Sequence, residues 1–297
     1  MKYIFVLNKF GKKGIYEIYR RIQFAAEDLG LDYDIEINDT NYSTADILEK
    51  YKDDRKIIVA VGGDGMINTV LNNIVDTDNI LSYIPYGTGN DLDRTVKLEL
   101  DEGINKVDLV RINDKYFINI ACFGIDADIA NDDRFIHNKK IPESMRYNAG
   151  VIYHFAKYKG RHMIVDIDNE TIDKKFSTVV VANAKYYGGG YKIAPNSHIA
   201  DGKLNVYLAD NLNRLALAKL VLSTKDGSHI QSKHVRMIKT DKVTIKCDEE
   251  IESNIDGEIL KGDTFNIELL PKKIELCNDQ RLIDKVLKEK IKVKNIL

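Results

Sequence analysis

The chain has 297 residues, 44% of them hydrophobic and 30% charged, with a formal net charge of −2. That balance excludes a globally basic nucleic-acid binder while leaving a local basic patch open, and no apolar run approaches the roughly 20 residues that span a bilayer. Cys122, Cys247 and Cys277 are isolated, which argues against a disulfide framework or a zinc site and points to a reducing, cytoplasmic compartment. From the N-terminus, KYIFVLN (2–8) reads as a first strand, too short in apolar length for a signal peptide. Residues 15–29 follow a helical period through Ile15, Ile18, Tyr19, Ile22, Ala26 and Leu29. LDYDIEI (31–37) is a second strand, STADILEKY (43–51) a helix and KIIVAVG (56–62) a third strand. Residues 65–75 are helical, with Ile67, Val70, Leu71 and Ile74 on one face, and ILSYIPYG (80–87) is a fourth strand. Such alternation predicts an α/β layered domain with a parallel sheet and crossover helices. Ligands bind such sheets beyond the carboxyl ends of the strands.

From about residue 107 the rhythm changes. VDLVRIN and KYFINIACF flank an Asn-Asp turn, and MIVDID, FSTVVVANA, KLNVYLAD, DKVTIKCD, GEILKG and TFNIELLPKKIELCN read as further strands joined by turns such as ADGK and LPKK. Helical stretches are predicted near 146–157 and 213–225. This is an antiparallel, β-rich second domain. The tail DQRLIDKVLKEKIKVKNIL reads as a terminal helix packed back on the first domain. The division predicted is residues 1–115 plus about 278–297 for the first domain and 116–277 for the second.

Three stretches could carry chemistry. GGDGMIN (62–68) sets Asp64 among three glycines where a strand gives way to a helix. Glycines at a helix N-terminus let backbone N–H groups approach an anion. An acid among them suits a phosphate only with Mg²⁺ between, and a plain turn with a helix cap is the other reading. IPYGTGNDLDR (84–94) offers a second backbone cradle with Thr88 and Asn90, and a further acid in Asp91. Asp256 of SNIDGEIL (253–260) and Asp201 of HIADGKLNV (198–206) are both explained as well by Asp-Gly turns.

In this order, GGDG, GTGND, NIACFGIDADI (119–129), YYGGGYKIAPNSHIADGKLNVYL (186–208) and NIDGE resemble the bacterial diacylglycerol kinase-like lipid kinases. These share a catalytic domain with eukaryotic diacylglycerol and sphingosine kinases, and the resemblance covers nearly the whole chain. GGDG alone also occurs in NAD kinases and phosphofructokinase relatives, whereas the GTGND and ADGKL runs favour lipid kinases.

The resemblance implies an N-terminal NAD kinase/diacylglycerol kinase-like domain, a C-terminal antiparallel β-sandwich-like domain, and an active site in the cleft between them. Nucleotide contacts are implied from Asn8, Lys9, Phe10, Gly11, Lys12, Thr40, Gly63, Asp64, Gly65, Met66, Ile67, Asn68, Thr69 and Thr88. Asp64, Asp91 and Asp108 match a magnesium and water network, and Asp256 matches the general base, so that catalysis would require domain closure. Asp201, with the carbonyls of His198 and Lys203, matches the ligand set of a second, structural Mg²⁺.

Departures from the family pattern are Lys9 at a proline position, Met66 for threonine, Thr69 for glutamate, and a shorter stretch from Asp91 to Asp108, which predicts the loss of a helix there. The expected activity is transfer of phosphate from ATP to a lipid hydroxyl, diacylglycerol first. Phosphatidylglycerol, a sphingoid base and NAD are other acceptors, and a nucleotide-binding regulatory protein with weak turnover is the other class. A membrane lipid, peripheral membrane contact and a homodimer are the partners expected, with no nucleic acid. Lys285, Lys288, Lys290, Lys292 and Lys294 of the tail form either a membrane-binding basic helix or a solvated face.

Overall fold

The computed structural model describes residues 1–9, 14–130 and 158–288. They form two compact units: Met1–Asn90, Leu100–Val107 and Lys273–Leu297 make one, and Asp91–Glu99 with Asp108–Lys272 make the other. Residues 91–99 and 108–115, assigned by sequence to the first domain, cluster here with the second.

In the first unit, β1 (Tyr3–Asn8), β2 (Tyr33–Asn38), β3 (Ile57–Gly62) and β4 (Ile80–Pro85) pair in the parallel order β2-β1-β3-β4. A fifth strand joins beyond β4 through Leu276, which pairs with Leu81. Ile4–Leu7, Ile57–Val61 and Ile80–Ile84 are buried throughout, as expected of parallel strands covered on both faces. The cover comes from α1 (Ile15–Asp28), burying Ile18, Ile22, Ala25 and Ala26, and from α3 (Asp64–Ile74), burying Ile67, Val70, Leu71 and Ile74. Between them in sequence, α2 (Thr44–Glu49) starts at a capping box: the Ser43 hydroxyl accepts from the Asp46 N–H while the Asp46 carboxylate accepts from the Ser43 N–H.

The second unit is antiparallel. It contains α4 (Asp91–Glu99), the later part of β5 (Gly103–Ile112), β6 (Lys115–Phe117), β7 (Ile120–Gly124), α5 (Ile125–Ala130), β8 (Arg161–Ile167), β9 (Glu170–Ala182), β10 (Leu204–Asp210), α6 (Arg214–Ser223), β11 (Val235–Thr240), β12 (Lys242–Ile255) and most of β13 (Glu258–Asn278). The strands run β11-β10-β9-β7-β12-β13, and β8 bridges β9 and β12. Period-two alternation explains the all-apolar stretches. Ala121 and Phe123 of β7, with Val179 and Val181 of β9, enter one core, while Ile120, Cys122, Val180 and Ala182 enter another on the opposite face.

Several expectations change. LPKK is no turn: β13 runs 21 residues through it, with a kink where Lys272 takes φ 51°. ADGK leads into β10 but has no strand before it, because the stretch from 183 to 203 is irregular apart from a bridge between Tyr187 and Tyr191. A helix does occupy the shortened stretch after Asp91, namely α4, and β11 was not foreseen. The helix predicted near 146–157 lies outside the described residues. The tail forms α7 (Gln280–Lys288), which buries Leu282, Ile283 and Val286. Arg21 of α1 donates to the Val286 and Leu287 carbonyls, and Lys285 pairs with Asp28.

Candidate active site

In the first unit the carboxyl ends of β3 and β4 lie side by side, Gly62 in register with Pro85. The chain turns from each into a glycine loop, and the two loops meet backbone to backbone. A Cβ built on Gly87 would stand 2.3 Å from the Gly63 Cα and 2.9 Å from its nitrogen. A side chain is excluded at 87, while a Cβ on Gly63 would stand 3.2 Å from the Gly87 Cα, a tight contact short of exclusion. Gly62 is held for a different reason: a Cβ there would meet Met66 Cβ at 2.7 Å. Asn90, at φ 55°, closes the second loop by accepting from the Gly87 N–H at 3.0 Å and donating to the Pro85 and Gly87 carbonyls.

Gly63 is the N-cap of α3 and makes no side-chain cap bond, and Asp64 and Gly65 open the first turn, partly exposed. The Met66 N–H turns back to the Gly63 carbonyl at 3.0 Å, and the dipole of α3 makes this end favour an anion. Not every residue of the stretch faces outward. Ile67 and Asn68 are buried, and the Thr69 hydroxyl donates to the Gly65 carbonyl at 2.9 Å. Asn8, Thr40 and Thr88 are exposed. Lys9 donates its N–H to the Asn38 carbonyl and its ammonium lies 3.7 Å from Asp39. Phe10, Gly11 and Lys12 lie outside the described residues.

In the second unit Asp91, Asp108 and Asp256 take a common form: each is a buried carboxylate that collects backbone N–H groups. Asp91 opens α4 and accepts from Gly189 at 2.9 Å and Gly190 at 2.7 Å, with Arg94 at 3.0 Å. Gly188, Gly189 and Gly190 all have positive φ, so the triple-glycine run can wrap this carboxylate. Asp108, fully buried, accepts from Gly202 at 2.6 Å and from Lys272 at 2.8 Å, tying the ADGK turn to the kink of β13.

Asp256 and Gly257 form the two-residue hairpin loop between β12 and β13, with φ of 49° and 92°. Positive φ at both positions is the mark of a type I′ turn. The Asp256 carboxylate points inward and accepts from Ile118 at 2.7 Å and from Asn119 and Ile120 at 3.0 Å. With both oxygens so occupied, Asp256 anchors the segment between β6 and β7, a task its sequence position does not reveal. Two residues on, Glu258 presents an exposed carboxylate whose pKa is raised by partial desolvation and lowered less by Lys115. Sequence reasoning passed over Glu258, although NIDGE contains it and a hairpin leaves it outside the loop.

Asp201 accepts from the Lys203 N–H at 3.1 Å with one oxygen, and its other oxygen meets the Lys239 ammonium at 2.7 Å. The His198 carbonyl accepts from the Asp201 N–H at 3.4 Å. A cation implied at Asp201 therefore finds a lysine already on its carboxylate. The Lys239 ammonium thus occupies one oxygen of the implied ligand set, and an ion there would have to displace it. Among the described residues no group of three or more His, Cys, Asp and Glu side chains could hold a metal.

A family model described as the diacylglycerol kinase catalytic domain matches residues 2–118, and one described as the YegS C-terminal NAD kinase beta sandwich-like domain matches residues 119–278. The chain is 26% identical over 236 residues to a diacylglycerol kinase of Bacillus subtilis, covering 71% of this chain and 75% of that protein. It is 26% identical over 269 residues to a diacylglycerol kinase of Staphylococcus haemolyticus, covering 80% and 79%. A crystal structure of a Bacillus anthracis diacylglycerol kinase superposes with a TM-score of 0.75 at 20% identity, covering 93% of this chain and 96% of that one. The last is a likeness of fold.

Proposed function

Because the chain belongs to the diacylglycerol kinase family of lipid kinases, we propose that it transfers the γ-phosphate of ATP to a lipid hydroxyl, with diacylglycerol the first acceptor to test. One observation supports the donor side: Gly63 and Gly87 meet backbone to backbone at the start of α3, an end whose dipole favours phosphate. The acceptor side rests on the match to the diacylglycerol kinase catalytic domain, because the apolar cavity walled by Val180, Ile193, Tyr207, Leu217, Leu220 and Val221 holds about 30 Å³, far short of a lipid chain.

In this reading the first unit handles ATP and the second handles the lipid. The hydroxyl oxygen attacks the γ-phosphorus, a P–O bond forms, and the bond to the bridging oxygen breaks to release ADP. The hydroxyl proton passes to Glu258, whose raised pKa suits a base. Asp256 holds the turn that presents Glu258, and Asp91 and Asp108 hold the triple-glycine loop and the ADGK turn. Asp64, at the start of α3, is the acid that would hold a Mg²⁺ carried by ATP, and the ion would supply neutralisation of phosphate charge.

The test is transfer of labelled γ-phosphate, with Mg²⁺ present, to diacylglycerol, phosphatidylglycerol and sphingosine in mixed micelles, and to NAD in solution. Label in diacylglycerol is expected. Label in no lipid would sink the reading, and label in NAD alone would replace the acceptor.

A further inference from the structure

Helix α6 of the second unit is apolar on two sides, and only one of them is buried. Its inner side sets Leu217 and Leu220 at 1% and 8% exposure against the apolar pocket. Its outer side carries Leu215 and Leu222 at 85% and 75% exposure. They stand seven residues apart, two helical turns, and so share one face. Lys219 lies on that face between them, Arg214 and Lys225 flank it, all three exposed, and the helix contains no acid. The carboxylate of Asp226, just beyond, accepts from the Ser228 N–H and hydroxyl.

A helix apolar all round is normally enclosed by protein or by lipid. In the terminal helix Leu282, Ile283 and Val286 are buried, Lys285 pairs with Asp28 and Lys288 with Asp284, and Lys290, Lys292 and Lys294 lie outside the described residues.

We propose that the outer face of α6 docks on an anionic bilayer. Leu215 and Leu222 enter the acyl boundary, and Arg214, Lys219 and Lys225 meet headgroup phosphates. Cations interleaved with two exposed leucines on one face match a plane of anionic headgroups over an apolar layer. The purpose of the contact rests on the lipid-kinase reading: an enzyme whose acceptor is a membrane lipid has to reach the bilayer.

The test is co-sedimentation of the full chain with vesicles of phosphatidylcholine alone or in equal parts with phosphatidylglycerol, which needs no turnover. Wild type is expected on the mixed vesicles. Leu215→Ser/Leu222→Ser is expected to lose binding about ten-fold or more. Arg214→Gln/Lys219→Gln/Lys225→Gln is expected to lose only the preference for phosphatidylglycerol. Unchanged melting temperatures and turnover on a water-soluble short-chain diacylglycerol separate docking from folding. Equal binding of wild type and the leucine variant overturns the proposal, as does absence of wild type from both vesicles. A leucine variant that dissociates a lipid-independent dimer while still binding vesicles overturns it too. Vesicle binding as expected without phosphorylation of any lipid leaves the docking face standing and removes the kinase reading.

Discussion

Gly63 and Gly87 touch through their backbones, so close that a single methyl on Gly87 would reach within 2.3 Å of the Gly63 Cα. Neither residue has the left-handed backbone that calls for glycine elsewhere in the chain. At Gly87 contact alone demands it. Gly87→Ala must push the two loops apart, and overpacking of this kind costs about 1–3 kcal/mol. A melting temperature lower by several degrees is expected, with weaker ATP binding by calorimetry. An unchanged affinity would remove the loops from the donor site.

Asp256 and Glu258 separate under conservative substitution. Asp256→Asn turns a carboxylate that accepts three N–H groups into an amide that can oppose them, a loss of about 1–3 kcal/mol or more, read as a lowered denaturation midpoint. Glu258→Gln, on an exposed side chain, should leave stability alone and lower kcat by about 10²–10⁴. The opposite pattern would return the base to Asp256.

The pH profile gives an independent reading of Glu258. A base acts when deprotonated, and partial desolvation raises this carboxyl above its ordinary 4.5. Turnover should therefore rise with pH through a limb displaced upward from the ordinary glutamate value, and Glu258→Gln should abolish that limb. A limb that persists in the variant belongs to another group.

His229 makes the second unit sensitive to acid. It is 5% exposed, its Nε2 lies 2.9 Å from the Ile193 carbonyl, and desolvation lowers its pKa below 6.5. With the folded pKa depressed, the unfolded chain binds the proton first as pH falls. Stability is whole above 6.5 and declines as pH falls from there through the folded value. Urea midpoints across that range should drop for wild type and drop less for His229→Gln. Parallel slopes would show that other groups carry the effect.

Lys239 predicts what metal removal does. Its ammonium already neutralises Asp201, so in the absence of nucleotide neither EDTA nor Mg²⁺ should move the melting temperature of wild type. Lys239→Met strips that charge and should make the melting temperature rise with Mg²⁺. A wild-type protein stabilised by Mg²⁺ alone would show that the lysine yields to the ion.

The α/β half was legible because buried parallel strands leave unbroken apolar runs, such as IIVAV, and because Ser43 and Asp46 announce a helix start. The kink in β13 was hidden for a physical reason. Leu270-Pro271-Lys272-Lys273 has the composition of a turn, but the Lys272 N–H is taken by Asp108, 164 residues away, and the strand continues. The duties of Asp91, Asp108 and Asp256 were hidden for the same reason. A carboxylate that collects distant N–H groups has the same letter as one that holds a metal. Local pattern located these acids, and only tertiary contacts separate their tasks.

The triple-glycine run carries one more consequence, in the time domain. A loop of three glycines is ordinarily the first part of a protein to exchange its amide hydrogens. Here the Gly189 and Gly190 N–H groups end on the buried carboxylate of Asp91. They should exchange as slowly as the strands around them, and lose that protection together in Asp91→Ala. By shape the segment is a loop; by its opening rate it belongs to the core.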